Sequence, residues 1–434
     1  MILSSRWIED LVSLFANARR TMISSTVLLS SLVLGCSQGD APSHASPQGV
    51  SLIGVASIAA DASDLSGLAD PIPDSKTPQN RVGSMGSGLD YTGSGNSYIA
   101  SCDRGPSDGA VAFLPRFQNL SIVADAKASS LSVKLEATTL FTDEQGGRYT
   151  GLASSFDTGA PPKGRRLDTE GIRVAKNGNL FTSDEYGPWI DEWTARGVHV
   201  RRFELPAKLY VAKLSGTPAD EFPPNNASGR QSNRGMEGLA RSPEGTRLYG
   251  VMQSPLIQDG GLDDKQKRVG TNVRLLELEL ASGKTREFLY TLESGKNGVN
   301  EIVAVGPHTL LALERDGAEG AKAEFKRVYK VELDGASDVS AQAALPTKDV
   351  PAGVVPLKKS LLLDFLDPRF ALAGEKMPEK IEGLAFGPKL PDGRQLLIVS
   401  IDNDFRPDVP NTFWAFGIDP TLLPGFEPAQ FDAR

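Results

Sequence analysis

The chain has 434 residues, with 54 acidic against 46 basic side chains, a formal net charge of −8, and 40% hydrophobic and 23% charged residues. Those values belong to a globular protein rather than a disordered or fibrous one, and no basic run or basic-aromatic strip offers nucleic acid a surface. Three histidines, His44, His199 and His308, are too few for a His-rich metal site and leave little room for His-based acid–base catalysis.

Arg19 and Arg20 precede an apolar, Ser-rich stretch from Met22 to Leu34. It has the length of a signal-peptide core and falls short of the roughly 20 apolar residues that span a bilayer. It ends Val33-Leu34-Gly35-Cys36, which resembles a bacterial lipobox with Cys36 as the lipidated residue. Ser37 after it, rather than Asp, resembles an outer-membrane sorting signal. The expectation is a signal peptide over 1–35, a small polar tether over 36–49, and a body over 50–434. Such a protein is exported, as an outer-membrane lipoprotein facing the periplasm or the surface, and touches the membrane only through its anchor. A cleaved secretory peptide with an incidental Cys36 is the alternative. In the lipidated form Cys102, the second of two cysteines, has no disulfide partner.

In the body, 44 Gly and 29 Pro imply many turns and short strands. A phrase recurs: Ser87-Gly88-Leu89-Asp90, Glu170-Gly171-Ile172-Arg173, Glu237-Gly238-Leu239-Ala240, Glu301-Ile302-Val303-Ala304 and Glu382-Gly383-Leu384-Ala385. Each opens an apolar strand, a Gly- or Pro-rich turn such as Lys176-Asn177-Gly178-Asn179, and a second strand, which is the pattern of a β-hairpin. In an antiparallel hairpin the first strand begins beside the end of the second. Reflection about each turn therefore brings Glu170 to Asp184 and Glu185, Glu237 to Met252 and Gln253, and Glu301 to Glu314 and Arg315. It also brings Glu382 to Asp402–Asp404 and Ser87 to Cys102–Arg104. Acidic groups gather at one rim, with the turns at the other end. Further strands are read at LSVKLEATTLF, VHVRRFELP, VRLLELEL and RVYKVELDG. Repeats of this size with four strands predict an all-β, β-propeller fold. Five units are read directly, and a sixth, less regular blade is expected in the long intervals. TFWAFGID near the C-terminus is expected to pair with SLIGVASI, closing the ring with strands from both ends.

The motifs S-C-D-R-G-P-S (101–107), D-T-E-G-I (168–172), T-S-D-E-Y-G-P (182–188), L-E-R-D (313–316), K-I-E-G-L-A-F (380–386) and D-N-D-F (402–405) resemble the bacterial "esterase-like activity of phytase" family. The resemblance spans nearly the whole body and implies a secreted propeller acting on ester or phosphate-ester bonds. A wider likeness to calcium-dependent phytases and lactonase propellers implies channel-mouth Glu residues that hold metal.

The rim is the candidate site. Glu170, Asp184, Glu237, Glu301, Glu382 and Asp402 are its candidate metal ligands, with Asp103, Glu185, Glu314 and Asp404 beside them. An all-oxygen donor set selects a hard cation, Ca²⁺ before Mg²⁺. Glu170 or Glu185 is the candidate general base, with Arg104 as its catalytic partner. Asp103, Arg104 and Arg315 are the candidate substrate-binding residues, the arginines gripping phosphate bidentately. Ion pairs with neighbouring carboxylates are the competing role for Arg104, Arg173 and Arg315, the more so for Arg315. No G-x-S-x-G elbow is present, and His308 sits in a turn far from the rim, so a Ser-His-Asp esterase does not fit. Ser282-Gly283-Lys284-Thr285 lies between strands and is a turn. Tyr186, Trp189 and Trp193 either wall a substrate pocket or pack between blades, and His199 is a strand residue. The reading is a metal-dependent hydrolase of small esters or phosphate esters. A non-catalytic ligand-binding propeller or a lactonase-like enzyme is the alternative.

Overall fold

A computed structural model describes residues 44–156 and 165–431. The signal-like stretch, Cys36 and most of the tether lie outside these residues. A long first strand, β1 (Val50–Ile58), leads into four successive antiparallel sheets. Blade 1 holds β2 (Met85–Tyr91), β3 (Ser97–Cys102), β4 (Arg116–Asp125) and β5 (Ser130–Leu140). Blade 2 holds β6 (Thr169–Val174), β7 (Leu180–Asp184), β8 (Trp189–Trp193) and β9 (His199–Arg202). Blade 3 holds β10 (Met236–Arg241), β11 (Arg247–Met252), β12 (Asn272–Glu279) and β13 (Thr285–Thr291). Blade 4 holds β14 (Gly298–Ala304), β15 (Thr309–Arg315), β16 (Lys326–Glu332) and β17 (Lys358–Asp364). Blade 5 runs β18 (Ile381–Phe386), β19 (Gln395–Ile401) and β20 (Asn411–Ile418), and β1 completes it from the other end of the chain. Val50 pairs with Ile418 and Ile58 with Asn411, as the terminal patterns predict.

The first strands of the five hairpins, β2, β6, β10, β14 and β18, neighbour one another in a closed ring around the channel. The ring has five blades, not six. The long intervals that suggested a sixth are filled by connections, at 141–168, 203–235 and 333–357, that carry only short 3-10 turns and isolated bridges among the described residues. A connection is legible as sequence length but has no second strand to pair with, so it cannot become a blade.

Position in the blade explains the composition of each strand. Inner strands are covered on both faces, so β6 and β18 are buried throughout. The outermost β5 alternates between exposed and half-buried positions, following SLSVKLEATTL. Apolar side chains fill the wedges between neighbouring sheets.

The glycine of the repeated phrase has a packing cause. A Cβ on Gly171 would come within 2.7 Å of Leu239 Cβ in the next blade, and one on Gly238 within 2.8 Å of Ile302 N. Gly88 meets blade 2 and Gly383 meets blade 1 in the same way. The phrase therefore marks where one inner strand approaches the next.

Candidate functional site

Every hairpin carries a β-bulge at its rim end, between Met85 and Gly88, Thr169 and Ile172, Met236 and Gly238, Val299 and Glu301, and Ile381 and Gly383. Bulges re-aim side chains at the ends of strands. Counting two residues back from the aligned apolar positions Leu89, Ile172, Leu239, Ile302 and Leu384 gives Ser87, Glu170, Glu237, Asn300 and Glu382. These five occupy the same place in their blades. The equivalent in blade 4 is thus Asn300 and not Glu301, which stands where the other blades have glycine.

Glu170, Glu185 and Asp168 bring one carboxylate oxygen each within 4.8 Å of one another, and all three are buried. Among the described residues no hydrogen bond or ion pair engages the Glu170 carboxylate. Burial, then the charges of Glu237, Asp168, Glu185 and Glu382, push its proton affinity well above the usual carboxylate range. Burial and Glu185 do the same for Glu237, whose Oε1 accepts from Gln253 Nε2 and from Asn300 Nδ2 at 2.8 Å. The Glu237 Oε2 is buried and accepts no hydrogen bond among the described residues. Glu382 is raised to about 7 by burial and Asp402, against the pull of Arg315. A second acidic group, Asp103, Asp402 and Asp404, lies beside it and holds Lys380, whose Nζ is 3.3 Å from Asp402 and 2.9 Å from Asp404.

The structure places the other expected residues as follows. Asp184 turns into the backbone, accepting from Asp168 N at 2.8 Å and Gly187 N at 3.0 Å, so it shapes the loop that carries Asp168 and Glu185. Glu301 leaves the rim cluster. It is wholly buried, pairs with Arg173 at 2.8 Å and accepts from Leu239 N at 3.1 Å. Glu314 also points away, toward Tyr290, Asn297 and Lys359. Glu301 and Glu314 were expected together on the rim because reflection about a turn assumes an even register, which the bulge between Val299 and Glu301 breaks, while Asp184 keeps its place at the rim end opposite Thr169. Arg104 is tied to Asp168 through both its backbone and guanidinium, with Asp108 at 3.1 Å, and Glu185 lies 3.5 Å away. Arg315 pairs with Glu382 at 2.6 Å, in the next blade rather than its own. Trp193 packs on Phe141, Tyr149 and His199, and Trp189 lies under Arg202. Tyr186 lines a cavity of about 170 Å³ beside Arg104, between that guanidinium and Arg166.

Asp168, Asn300 and Lys380 are site residues that strand reflection misses, whereas Gln253 stands beside Glu237 where reflection puts it. Asp168 stands in the quoted D-T-E-G-I motif, and that proximity to Glu170 was the available signal. Arg234 lies at the same mouth, and no hydrogen bond or ion pair among the described residues holds its guanidinium. Burial and the nearby Arg268 lower it to about 10, while Glu185 and Glu237 work in the opposite direction. The arrangement is a carboxylate-rich mouth with the Arg234 guanidinium uncommitted at its edge among the described residues. Its oxygen donors suit a hard cation.

A secreted protein of uncharacterised role from Arthroderma benhamiae is 26% identical over 300 residues, which is 57% of this chain and 58% of that one. The chain thus matches somewhat over half the length of that relative. The Malassezia sympodialis allergen Mala s 1 superposes with a TM-score of 0.40 at 11% identity, over 82% of this chain and 83% of its own. The calcium-binding protein regucalcin from Agrobacterium tumefaciens gives 0.34 at 13% identity, over 88% and 98%. A protein of unknown function from Dyadobacter fermentans gives 0.39 at 9%, over 86% and 100%. Residues 80–405, most of the chain and every inner strand, match the model of the phytase-like family described as "esterase-like activity of phytase", and the chain belongs to that family.

Proposed function

We propose that the protein is an exported, metal-dependent hydrolase of small esters or phosphate esters, with its site at the rim mouth of the channel. The observation that carries this reading is the convergence of Asp168, Glu170 and Glu185 within 4.8 Å, with the Glu170 carboxylate committed to no other group among the described residues. Asp168, Glu170 and Glu185 would hold the ion, with Glu237 adjoining them, and the oxygen-only set favours Ca²⁺. A hard cation bound there would neutralise ester or phosphate oxygens and lower the pKa of water. Asp402 and Asp404 share Lys380, and Asp103 accepts from Gly105 N at 2.7 Å, so this group stays outside that set.

The chain's own groups would do the rest. Whichever of Glu170 and Glu185 is left off the ion would take the proton from the attacking water. Arg104 fixes Asp168 and borders the site, and Arg234 is the guanidinium placed to grip an anionic ester group. Arg315, committed to Glu382, orients that carboxylate, so its expected grip on substrate passes to Arg234. Export is supported by the signal-like N-terminal stretch and by the secreted relative, and the lipid anchor on Cys36 would be the only membrane contact. The test is turnover by Glu170→Gln across a panel of p-nitrophenyl esters and phosphates with Ca²⁺ present. Loss of turnover with an unchanged circular-dichroism spectrum is expected. Full activity in the variant would end the assignment.

A further inference from the structure

The channel holds a second chamber, on the side of the hairpin turns. Arg173 and Glu301 separate it from the rim. Arg173 Nη1 donates to Leu89 O of blade 1 at 2.7 Å, and its Nη2 donates to Ile302 O of blade 4 at 2.8 Å. Beyond this brace lies a cavity of about 250 Å³. The C-terminal segment 426–431 covers it. Phe426 packs on Phe386 with ring centroids 4.5 Å apart, and its carbonyl accepts from Gln395 Nε2 at 3.0 Å. At the other end Phe431 N donates to Gly93 O at 3.0 Å. The segment is thus strung from blade 5 to blade 1.

Arg241 lies in this chamber, 5.3 Å from the centroid of the Phe431 ring. Its Nη1 donates to Ser242 O at 3.2 Å, and its buried Nε donates to nothing among the described residues. No carboxylate among the described residues lies within ion-pair distance of it. The nearby Asp90 spends one oxygen on Val174 N at 2.7 Å. Arg173 is already neutralised by Glu301. The Arg241 guanidinium, with Asp90 as its chief opposing charge, therefore faces a small space lined by Tyr91, Phe386, Phe426 and Phe431 together with Asp90, Lys176 and Glu427.

We propose that this chamber is a binding site for a small organic monoanion, a carboxylate carried on a flat apolar body. The carboxylate meets the planar fork of Arg241, and the body lies against the aromatic rings. The planar fork of Arg241 suits a single carboxylate, and the aromatic part of the lining penalises a bare, strongly hydrated ion. The site stands apart from the rim and does not depend on the hydrolase reading.

The test titrates the full chain with benzoate by calorimetry, with inorganic phosphate as the competing anion. Benzoate is expected to bind with a dissociation constant below about 1 mM. Arg241→Gln should weaken it at least about tenfold, as loss of a charge-assisted bond does. Arg241→Lys, which keeps the charge but loses the fork, should fall between, and Phe431→Ala, which removes the ring facing Arg241, should also weaken binding. Glu170→Gln should leave binding unchanged, and phosphate should not displace benzoate. Absence of binding up to about 10 mM benzoate, wild-type affinity in Arg241→Gln, or full displacement by phosphate would each overturn the proposal.

Discussion

Arg173 and Glu301 meet across the channel with Nη2 of one 2.8 Å from Oε2 of the other, and their side chains are only 3% and 0% exposed. Together they reach blades 1, 2, 3 and 4 through Leu89, Ile302 and Leu239. A pair buried this deeply costs most when one member is removed, because the survivor is left as an uncompensated charge. Glu301→Gln should therefore lower unfolding free energy by about 3–5 kcal/mol. The double variant Arg173→Met/Glu301→Leu should lose clearly less than the sum of Arg173→Met and Glu301→Leu alone, which with the wild type make a cycle of four proteins. Urea unfolding of the four proteins measures the coupling, and simple additivity would refute it.

The pH response follows from the raised carboxyls. Burial lifts Glu301 to about 7, Glu382 to about 7 and Asp184 to about 8. The folded state holds these protons more tightly than the unfolded chain. Their contribution is complete below the ordinary carboxylate range and is lost as pH rises through 7 and 8. Metal-free protein should melt at progressively lower temperature between pH 5 and 8, by at most about 1.4 kcal/mol per pH unit and group. Calorimetry in chelator across that range would refute this if the melting temperature rose.

Calcium should reverse that trend, since a bound cation favours the ionised forms. At about a hundredfold excess over its dissociation constant a ligand adds about 2.7 kcal/mol of stability. The shift should be larger at pH 8 than at pH 5. Glu170→Gln should abolish it while making the chelated protein more stable at pH 8, because a charge forced into a buried acidic cluster has been removed. A variant that still responds fully to calcium would place the ion elsewhere.

Gly238 lies 2.8 Å, at its absent Cβ, from the backbone of Ile302. Gly238→Ala should cost about 1–3 kcal/mol through overpacking between blades 3 and 4. Gly283, in an open turn with nothing near its Cβ but φ of +70°, reports backbone strain without interblade packing. Thermal melts of the two alanine variants separate the causes. Blade packing is the explanation only if Gly238→Ala is the costlier.

Much of this architecture is legible in the chain because hairpins announce themselves locally. Asn177-Gly178 and its counterparts fix the turns, and the apolar runs on each side fix the strands, so the closing pair of β1 and β20 is readable as well. What escapes is offset by a single residue. Asn300-Glu301-Ile302 looks like the Glu-Gly-apolar phrase displaced by one position, and only the bulge shows that Asn300 is the rim residue. Glu314 faces the wrong way for the same reason. Asp168 and Lys380 lie just before their strands, where reflection about a turn says nothing. Blade number fails because connections such as 203–235 resemble strand-bearing sequence in length alone.

The pairing of β1 with β20 sets an order of events for synthesis. Val50 cannot find Ile418 until β20 has been made, so the ring stays open while the four blades between β1 and β18 are synthesised. Contacts of such sequence separation form late and slowly. Until then β18 and β19 present an unpaired sheet edge, the surface that aggregates most readily. A chain without β20 keeps that edge open, so closure of the ring needs both β1 and β20.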